Sequence, residues 1–243
     1  MDLPCRLLPF AVADGPLNMT TDEVLLHSAA AGQASLRFYG WTEATLSLGY
    51  FQRAARRLDD PLLRELPFVR RPTGGDALVH HHELTYCLAV PSERARSSAL
   101  PWLMMHEIIA AVLAEFGIEA RLHDPSASGH FSGFLCFEHF TAGDLIVNGA
   151  KVAGSAQRKQ RGAVLQHGGI LLARSRFTPS LPGIRELSGI DLDAPQLRTV
   201  IVHHFERWTG WRIEPAVLTE DEECSRAALV SQRYGTDVWN RKR

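Results

Sequence analysis

DLIVNGAKVAGSAQRKQRGAVLQHGGILL, residues Asp144–Leu172, is the stretch that decides the fold. Leu145–Val147 is an apolar run that stops at Asn148-Gly149, a two-residue hairpin signal, because both turn positions take positive φ. A second strand starts near Lys151 and holds only small residues, Ala153 to Ala156, in its middle. A polar turn, Arg158–Gly162, reverses the chain, and a more apolar strand runs from Val164 to Leu172. The spacing predicts a three-stranded meander. Gly and Ser inside a strand mark a place where a backbone or a ligand approaches closely. A bare strand with one long cation, Lys151, at its start reads as a surface built to receive something.

Outward from the meander, the rest of the chain bounds the answer. Its 243 residues, 45% hydrophobic, are enough for one substantial core. With 26 basic and 27 acidic residues the net charge is −1, which gives no electrostatic footprint for nucleic acid. Cys5, Cys87, Cys136 and Cys224 are far apart and form no CxxC pair, so neither a zinc motif nor a disulfide framework is expected. That pattern suits a reducing, cytoplasmic compartment. The N-terminus lacks the apolar core of a signal peptide, and no run approaches the ~18 apolar residues of a membrane span.

Leu17–Ala31 is predicted helical, with Thr20 and Glu23 as a capping box. Strands are predicted at Ser35–Tyr39 and Thr45–Tyr50, and a loop or short helix at Gln52–Glu65. In Pro67–Pro91, a strand at Phe68-Val69 ends in Arg70-Arg71-Pro72, and Thr73-Gly74-Gly75 turns. Ala77–Val79 and Leu84–Val90 are again strand-like, with a turn at His80–Glu83. Paired arginines beside a Gly-Gly turn suit a phosphate or carboxylate, or are a solvated basic turn. Ser98–Phe116 is a helix stopped by Gly117, Ile118–Leu122 a short strand, and Asp124–Gly143 a long irregular loop of the kind that carries function. Beyond the meander come a loop (Phe177–Asp193), a helix (Ala194–Trp208), an extended run (Trp211–Leu218) and a last helix, Thr219–Tyr234, with Thr219 and Glu222 as capping box.

Cys136 lies in the irregular loop between Phe134 and Phe137. It reads either as a small buried hydrophobe or as a nucleophile, which a neighbouring ammonium such as Lys151 would activate by favouring the thiolate. His80-His81-His82 on a strand face alternately and cannot converge on a metal, so no metal site is expected. His167 is a pocket-wall or a structural histidine. No P-loop or dinucleotide fingerprint is present.

Taken together, these motifs resemble the lipoate–protein ligase and octanoyltransferase superfamily, which shares its fold with biotin protein ligase. The resemblance rests on Arg70–Gly75, His80, Glu83–Tyr86, Gly149-x-Lys151-x-x-Gly154-Ser155-Ala156-Gln157 and Leu165–Gly168. Asn18-Met19 with Asp22, Arg37–Tyr39, Ser47–Tyr50, Tyr234 and Trp239-Asn240 extend it over most of the chain. ATP-dependent ligases typically have a third glycine, then an Asp after the His, then Gly-Asn. Here Asp76, His81 and Glu83–Tyr86 stand instead, which is similar to the octanoyltransferase and amidotransferase branch. That branch has a Cys-Phe pair fifteen residues before the motif lysine, the spacing of Cys136-Phe137 from Lys151.

The resemblance implies one α/β catalytic domain over residues 1–243: a mixed, largely antiparallel sheet with helices packed on one side, an acyl tunnel, and a helical extension after about residue 194. It implies Cys136 as nucleophile and Lys151 as its charge partner. Arg70, Arg71, Gly74, Gly75, Asp76, Ala77, His80, Gly154, Ser155, Ala156 and His167 would bind substrate, with backbone N–H groups around Gly74–Ala77 or at Ser155 as an oxyanion hole. The implied donor is octanoyl-acyl carrier protein, and the acceptor is a lipoyl domain or glycine-cleavage H protein. No cofactor, nucleic acid or membrane is implied. Three alternatives stand beside it: an ATP- and Mg-dependent ligase, a lipoyl amidotransferase, and a non-catalytic binding module, to which the acid at Asp76 lends weight.

Overall fold

The computed structural model describes residues 4–96, 101–124 and 133–243. Strands β1 (Pro4–Leu7) and β2 (Ala11–Ala13) precede helix α1 (Gly15–Ala30). Then come β3 (Ser35–Trp41), β4 (Thr45–Leu48), β5 (Phe68–Arg70), β6 (Leu78–His80) and β7 (Glu83–Pro91). Helices α2 (Ser92–Arg96) and α3 (Pro101–Glu115) lead to β8 (Arg121–Leu122) and to the meander β9 (Leu145–Val147), β10 (Ala150–Gln160) and β11 (Ala163–Leu171). After it follow α4 (Ile184–Ser188), α5 (Ala194–Thr209), β12 (Arg212–Pro215), α6 (Glu220–Leu229) and α7 (Asp237–Asn240). The start of the helix expected at Ser98, and part of the loop expected at 124–143, lie outside the described residues.

The large sheet runs β12-β1-β3-β7-β11-β10-β9-β8, with β2 beside β3. It is antiparallel from β3 through β8 and parallel where β1 meets β3 and β12. The meander forms as its turn signals require. Asn148 and Gly149 have φ of 47° and 82°, and Arg161 and Gly162 have 48° and 81°. The second turn is therefore only Arg161-Gly162, and β10 continues through Gln160 in register with β11. Beyond the expected helical extension, β12 adds a parallel strand beside β1.

Helices cover both faces of this sheet, not one. Cys87 and Ala89 of β7 pack with Leu25, Leu26 and Ala29 of α1. Their neighbours Tyr86, Leu88 and Val90 pack with Met105 and Ile109 of α3 and Leu197 and Ile201 of α5. Successive strand residues point to opposite faces. A strand buried on both sides reads as an unbroken apolar run, which gives no sign that both faces are covered. Each fully buried Leu or Ile here contributes about 1.5–3 kcal/mol of apolar transfer.

Helix α1 starts earlier than its capping box predicts. Asp14, extended at ψ 170°, accepts from Leu17 N at 2.9 Å, and Pro16 fits the first turn. Thr20 and Glu23 are thus mid-helix. Thr20 donates to Pro16 O at 2.7 Å, and Glu23 accepts from Tyr234 and Arg233. The predicted box at α6 does form, Thr219 N donating to Glu222 Oε2 at 2.8 Å and Glu222 N to Thr219 Oγ1 at 3.2 Å.

A second sheet, β5-β4-β6, is built from segments adjacent in sequence to large-sheet strands. β6 pairs with β4, while β7 pairs with β3 and β11, so the chain changes sheet at His81-His82. Ser47 and His80 of the small sheet thereby face β10 and β11 of the large one across a cavity.

Candidate active site

The cavity lies between the two sheets, and with its mouth it encloses about 490 Å³ of atom-free space. Met19 of α1, Tyr39 of β3, Leu78 of β6, Gly154–Ala156 of β10 and Gly168-Gly169 of β11 make its wall mostly apolar. The small residues are needed. A Cβ on Gly168 would stand 2.6 Å from Gly154 O, and one on Gly169 would stand 2.7 Å from Glu83 Oε2. β9 pairs with β10 only as far as Ala153, so from Gly154 onward that edge of β10 is open among the described residues.

Cys136 and Phe137 complete the wall. The segment bearing them is bridged to the Gly-Gly turn: Ala77 N donates to Phe134 O at 3.1 Å, and Cys136 N donates to Ala77 O at 2.8 Å. One 3₁₀ turn, Cys136–Glu138, follows, with Glu138 folding back to accept from Leu135 N. Lys151 Nζ lies 3.5 Å from Cys136 Sγ. It also donates to Cys136 O at 3.1 Å and faces His139 O at 3.5 Å. Its counter-ion is Asp144, with Oδ2 at 2.7 Å. Asp144 is itself held by Thr141 N and Oγ1 at 2.7 and 3.0 Å. Such an ammonium, paired yet touching the sulfur, stabilises negative charge there. The other cysteines differ. Burial pushes the Cys5 thiol up to about 12 and Cys87 well above the ordinary thiol range, and Cys224 is exposed.

Arg71 is buried at the cavity and serves the Gly-Gly turn. It donates to Gly74 O at 2.9 Å, Asp76 O at 2.6 Å, Thr73 Oγ1 at 3.2 Å, and Ser47 O and Oγ at 3.1 Å. Burial weakens its hold on its proton, while the Cys136 and Asp76 charges favour the cation. Gly49 permits the turn to approach, since a Cβ there would fall 1.8 Å from Gly75 O. Asp76 accepts from Gln52 at 3.1 Å and pairs with His139 at 3.2 Å.

His167 takes part in a continuous chain. Its Nδ1 lies 2.8 Å from Asp22 Oδ2, and its Nε2 2.7 Å from Thr73 Oγ1. Burial disfavours the imidazolium and holds His167 below its ordinary 6.5, despite Asp22. Burial alone would raise Asp22, yet Arg37 and hydrogen bonds from His167 and Tyr39 outweigh it and keep the carboxyl low. The two directions agree on a carboxylate accepting from a neutral imidazole, whose Nε2 then accepts from Thr73. His80 stacks on Trp41 at 3.8 Å, bonds Ser47 Oγ at 2.8 Å and pairs with Glu83.

The structure therefore brings Arg71, Gly75, Asp76, His80, Cys136, Gly154, Ser155, Ala156 and His167 to one cavity, with Lys151 against the sulfur. Three expected residues differ. Arg70 turns away and is fully buried: it donates to the carbonyls of Gly49, Tyr50, Gln52, Trp239 and Asn240, clasping the C-terminal segment. Gly74 supplies a carbonyl to Arg71 rather than cavity wall. Ala77 N–H is spent on Phe134 O, which leaves no donor there for an oxyanion. The N–H groups of Gly75 and Asp76 have no acceptor among the described residues. Sequence reasoning gave no role to Asp144 or Asp22. Asp144 opens the decisive stretch, but an acid before a strand has no distinctive spacing, and only its burial beside Lys151 marks it.

The catalytic domain of lipoyl protein ligase A/B matches residues 14–178. The chain belongs to that family. Among its curated relatives are proteins named octanoyltransferase LipM. That of Symbiobacterium thermophilum is 33% identical with all of both chains covered, and that of Bacillus subtilis is 32% identical with 98% of each covered. In solved structures the lipoyl ligase fold recurs in a putative lipoate protein ligase of T. acidophilum, with a TM-score of 0.80, 21% identity and all of both chains covered. A lipoate-protein ligase A bound with ATP has a TM-score of 0.76 at 21% identity, with 99% of each chain covered. Likeness at that identity concerns the fold. In this family member the fold has a cavity between two sheets, with a cysteine at its wall. No described helix is long and apolar enough to cross a membrane.

Proposed function

We propose that this protein transfers an octanoyl group from acyl carrier protein to a lysine ε-amine on a lipoyl domain or glycine-cleavage H protein, through a thioester on Cys136. The observation that carries this reading is the 3.5 Å approach of Lys151 Nζ to Cys136 Sγ at the wall of an apolar cavity. Near-full-length relatives named octanoyltransferase LipM support the acyl group.

Cys136 Sγ attacks the thioester carbonyl. A carbon–sulfur bond to Cys136 forms, the bond to the carrier sulfur breaks, and the carrier leaves as a thiol with the proton Cys136 gave up. The acyl chain lies along Gly154–Ala156. The N–H groups of Gly75 and Asp76 face the developing oxyanion, each contact worth on the order of 3 kcal/mol. The acceptor amine then attacks. The amide forms, and the sulfur departs beside the Lys151 ammonium and regains a proton from the amine. Neither ATP nor a metal enters this balance. The chain works as one catalytic unit over residues 1–243, in the reducing cytoplasm where Cys136 stays a thiol.

Intact-mass spectrometry tests it. Incubation with octanoyl-acyl carrier protein adds one octanoyl group to the wild type and none to Cys136→Ala. Full transfer by Cys136→Ala, or modification only with free lipoate and ATP, would sink the proposal.

A further inference from the structure

Arg71 has five N–H groups, and each has an acceptor within the protein. Nε donates to Thr73 Oγ1 at 3.2 Å, Nη1 to Ser47 O and Oγ at 3.1 Å, and Nη2 to Gly74 O at 2.9 Å and Asp76 O at 2.6 Å. Two of these acceptors are buried hydroxyls, and behind each stands an imidazole. Thr73 Oγ1 lies 2.7 Å from His167 Nε2, and Ser47 Oγ lies 2.8 Å from His80 Nε2. Behind each imidazole stands a carboxylate. Asp22 Oδ2 is 2.8 Å from His167 Nδ1, and Glu83 pairs with His80 Nδ1.

Arg71 fixes the direction of both chains. A guanidinium only donates, so each hydroxyl accepts from it and has one proton left to give. The imidazole Nε2 accepts that hydrogen bond, which puts the ring's own proton on Nδ1, facing the carboxylate. The order carboxylate, imidazole, hydroxyl, guanidinium therefore runs twice. One chain comes from α1 and β11 of the large-sheet side through Asp22 and His167, the other from β7, β6 and β4 through Glu83, His80 and Ser47. They meet on one side chain, and successive hydrogen bonds of this kind polarise one another. Removing either hydroxyl leaves an Arg71 N–H and an imidazole nitrogen without a partner at a buried site.

What Arg71 holds in turn is the direction of a peptide. Gly74 O and Gly75 N–H belong to one planar trans unit and point opposite ways. A guanidinium seated on Gly74 O aims the Gly75 N–H away from itself. That N–H has no acceptor among the described residues, and Gly75 lines the cavity together with Cys136. The peptide after Asp76 is fixed at both ends, its oxygen by Arg71 and its Ala77 N–H by Phe134 O at 3.1 Å. We infer that Ser47 and Thr73 are positioning residues for acyl transfer. Their hydroxyls, oriented by His80 and His167, hold Arg71 so that the Gly75 N–H stays aimed at the developing oxyanion, a role that rests on the acyl-transfer reading.

Two reactions of Cys136, both followed by intact mass, test this role. Acylation by octanoyl-N-acetylcysteamine passes through an oxyanion, whereas alkylation by iodoacetamide uses the same sulfur and forms none. Thr73→Val, which removes a hydroxyl at nearly equal volume, and Ser47→Ala each slow acylation about tenfold or more. Alkylation stays near the wild-type rate in both. Thr73→Ser, which keeps the hydroxyl, retains most of the acylation rate. Equal slowing of the two reactions, undiminished acylation in either Thr73→Val or Ser47→Ala, or a Thr73→Ser as slow as Thr73→Val each overturns the positioning role. If wild-type Cys136 takes octanoyl neither from this thioester nor from acyl carrier protein, the acyl-transfer reading fails and the role falls with it. Continued alkylation of the wild type sets that result apart from the other three.

Discussion

Lys151 Nζ and Asp144 Oδ2 lie 2.7 Å apart with both side chains buried, 0% and 4% exposed. Asp144 stands behind the lysine and Cys136 stands in front of it. The carboxylate is the buried lysine's counter-ion, and the two Thr141 bonds fix its place. A buried charge survives only with such a partner.

Removing the carboxylate therefore does more than remove a bond. Asp144→Asn leaves an uncompensated buried ammonium, a defect that costs about 3–5 kcal/mol. Thermal melting shows a clear drop in Tm, and Cys136 alkylation by iodoacetamide speeds up at neutral pH, because the unpaired ammonium then acts on the sulfur alone. An unchanged melting curve and alkylation rate would show that Asp144 is not the counter-ion.

Gly154 tests the same pair sterically. A Cβ there would stand 2.6 Å from Lys151 Cε and 3.2 Å from Asp144 Oδ1. Gly154→Ala pushes the ammonium off the sulfur. A displacement near 1 Å lowers the transfer rate about 10²-fold. Fold stability falls by less than with Asp144→Asn, because the ion pair can shift together. Steady-state transfer assays beside a melting curve separate the two effects, and full activity in Gly154→Ala is the contrary result.

Asp76 follows the Gly-Gly turn, and its partner is His139, three residues past the cysteine. The pair latches the cysteine segment to the Gly-Gly turn. Asp76→Gly removes the latch while keeping the Ala77 bridge. Being part-exposed, the pair contributes at most about 1 kcal/mol. The expected result is a faster Cys136 alkylation rate with Tm nearly unchanged. A large fall in Tm with no change in alkylation would instead make Asp76 structural.

Stability depends on pH in two windows. Burial keeps His167 below 6.5, so the unfolded chain binds this proton more readily than the folded one. Its neutral state stabilises fully above 6.5, and that contribution is lost as pH falls from there through the folded value. For Glu222 burial acts upward, but hydrogen bonds from Arg6 and Ser28 outweigh it and bring the carboxyl from 4.5 to about 2. Its contribution is complete above 4.5 and disappears between 4.5 and about 2. Urea titrations at pH 7, 5.5 and 4 read the first window, and His167→Gln flattens it. Retention of the full slope in His167→Gln would assign the loss to another group.

Much of this was legible in the chain. Asn148-Gly149 specifies a tight turn because both φ must be positive, and Arg158–Gly162 marked the second reversal, which the structure narrows to Arg161-Gly162. The small residues of β10 announce a close approach, and the family resemblance, not spacing by itself, implied that Cys136 and Lys151 form a pair. Arg70 and Arg71 could not be told apart, since neighbouring strand residues point to opposite faces. One donates into the Gly-Gly turn at the cavity, and the other clasps the tail. Thr20, the expected cap, lies mid-helix because Asp14 caps a helix that starts earlier.

By itself the sequence determined what is local: the turns, the strand periods, the capping box at Thr219, and the residue types able to do acyl chemistry. Tertiary structure alone decided what depends on distance through space. The change of sheet at His81-His82 sets Ser47 and His80 against β10 and β11 and so creates the cavity. Burial made Asp144 a counter-ion and His167 a neutral acceptor, because desolvation and the field of neighbours act only once the chain has closed around them.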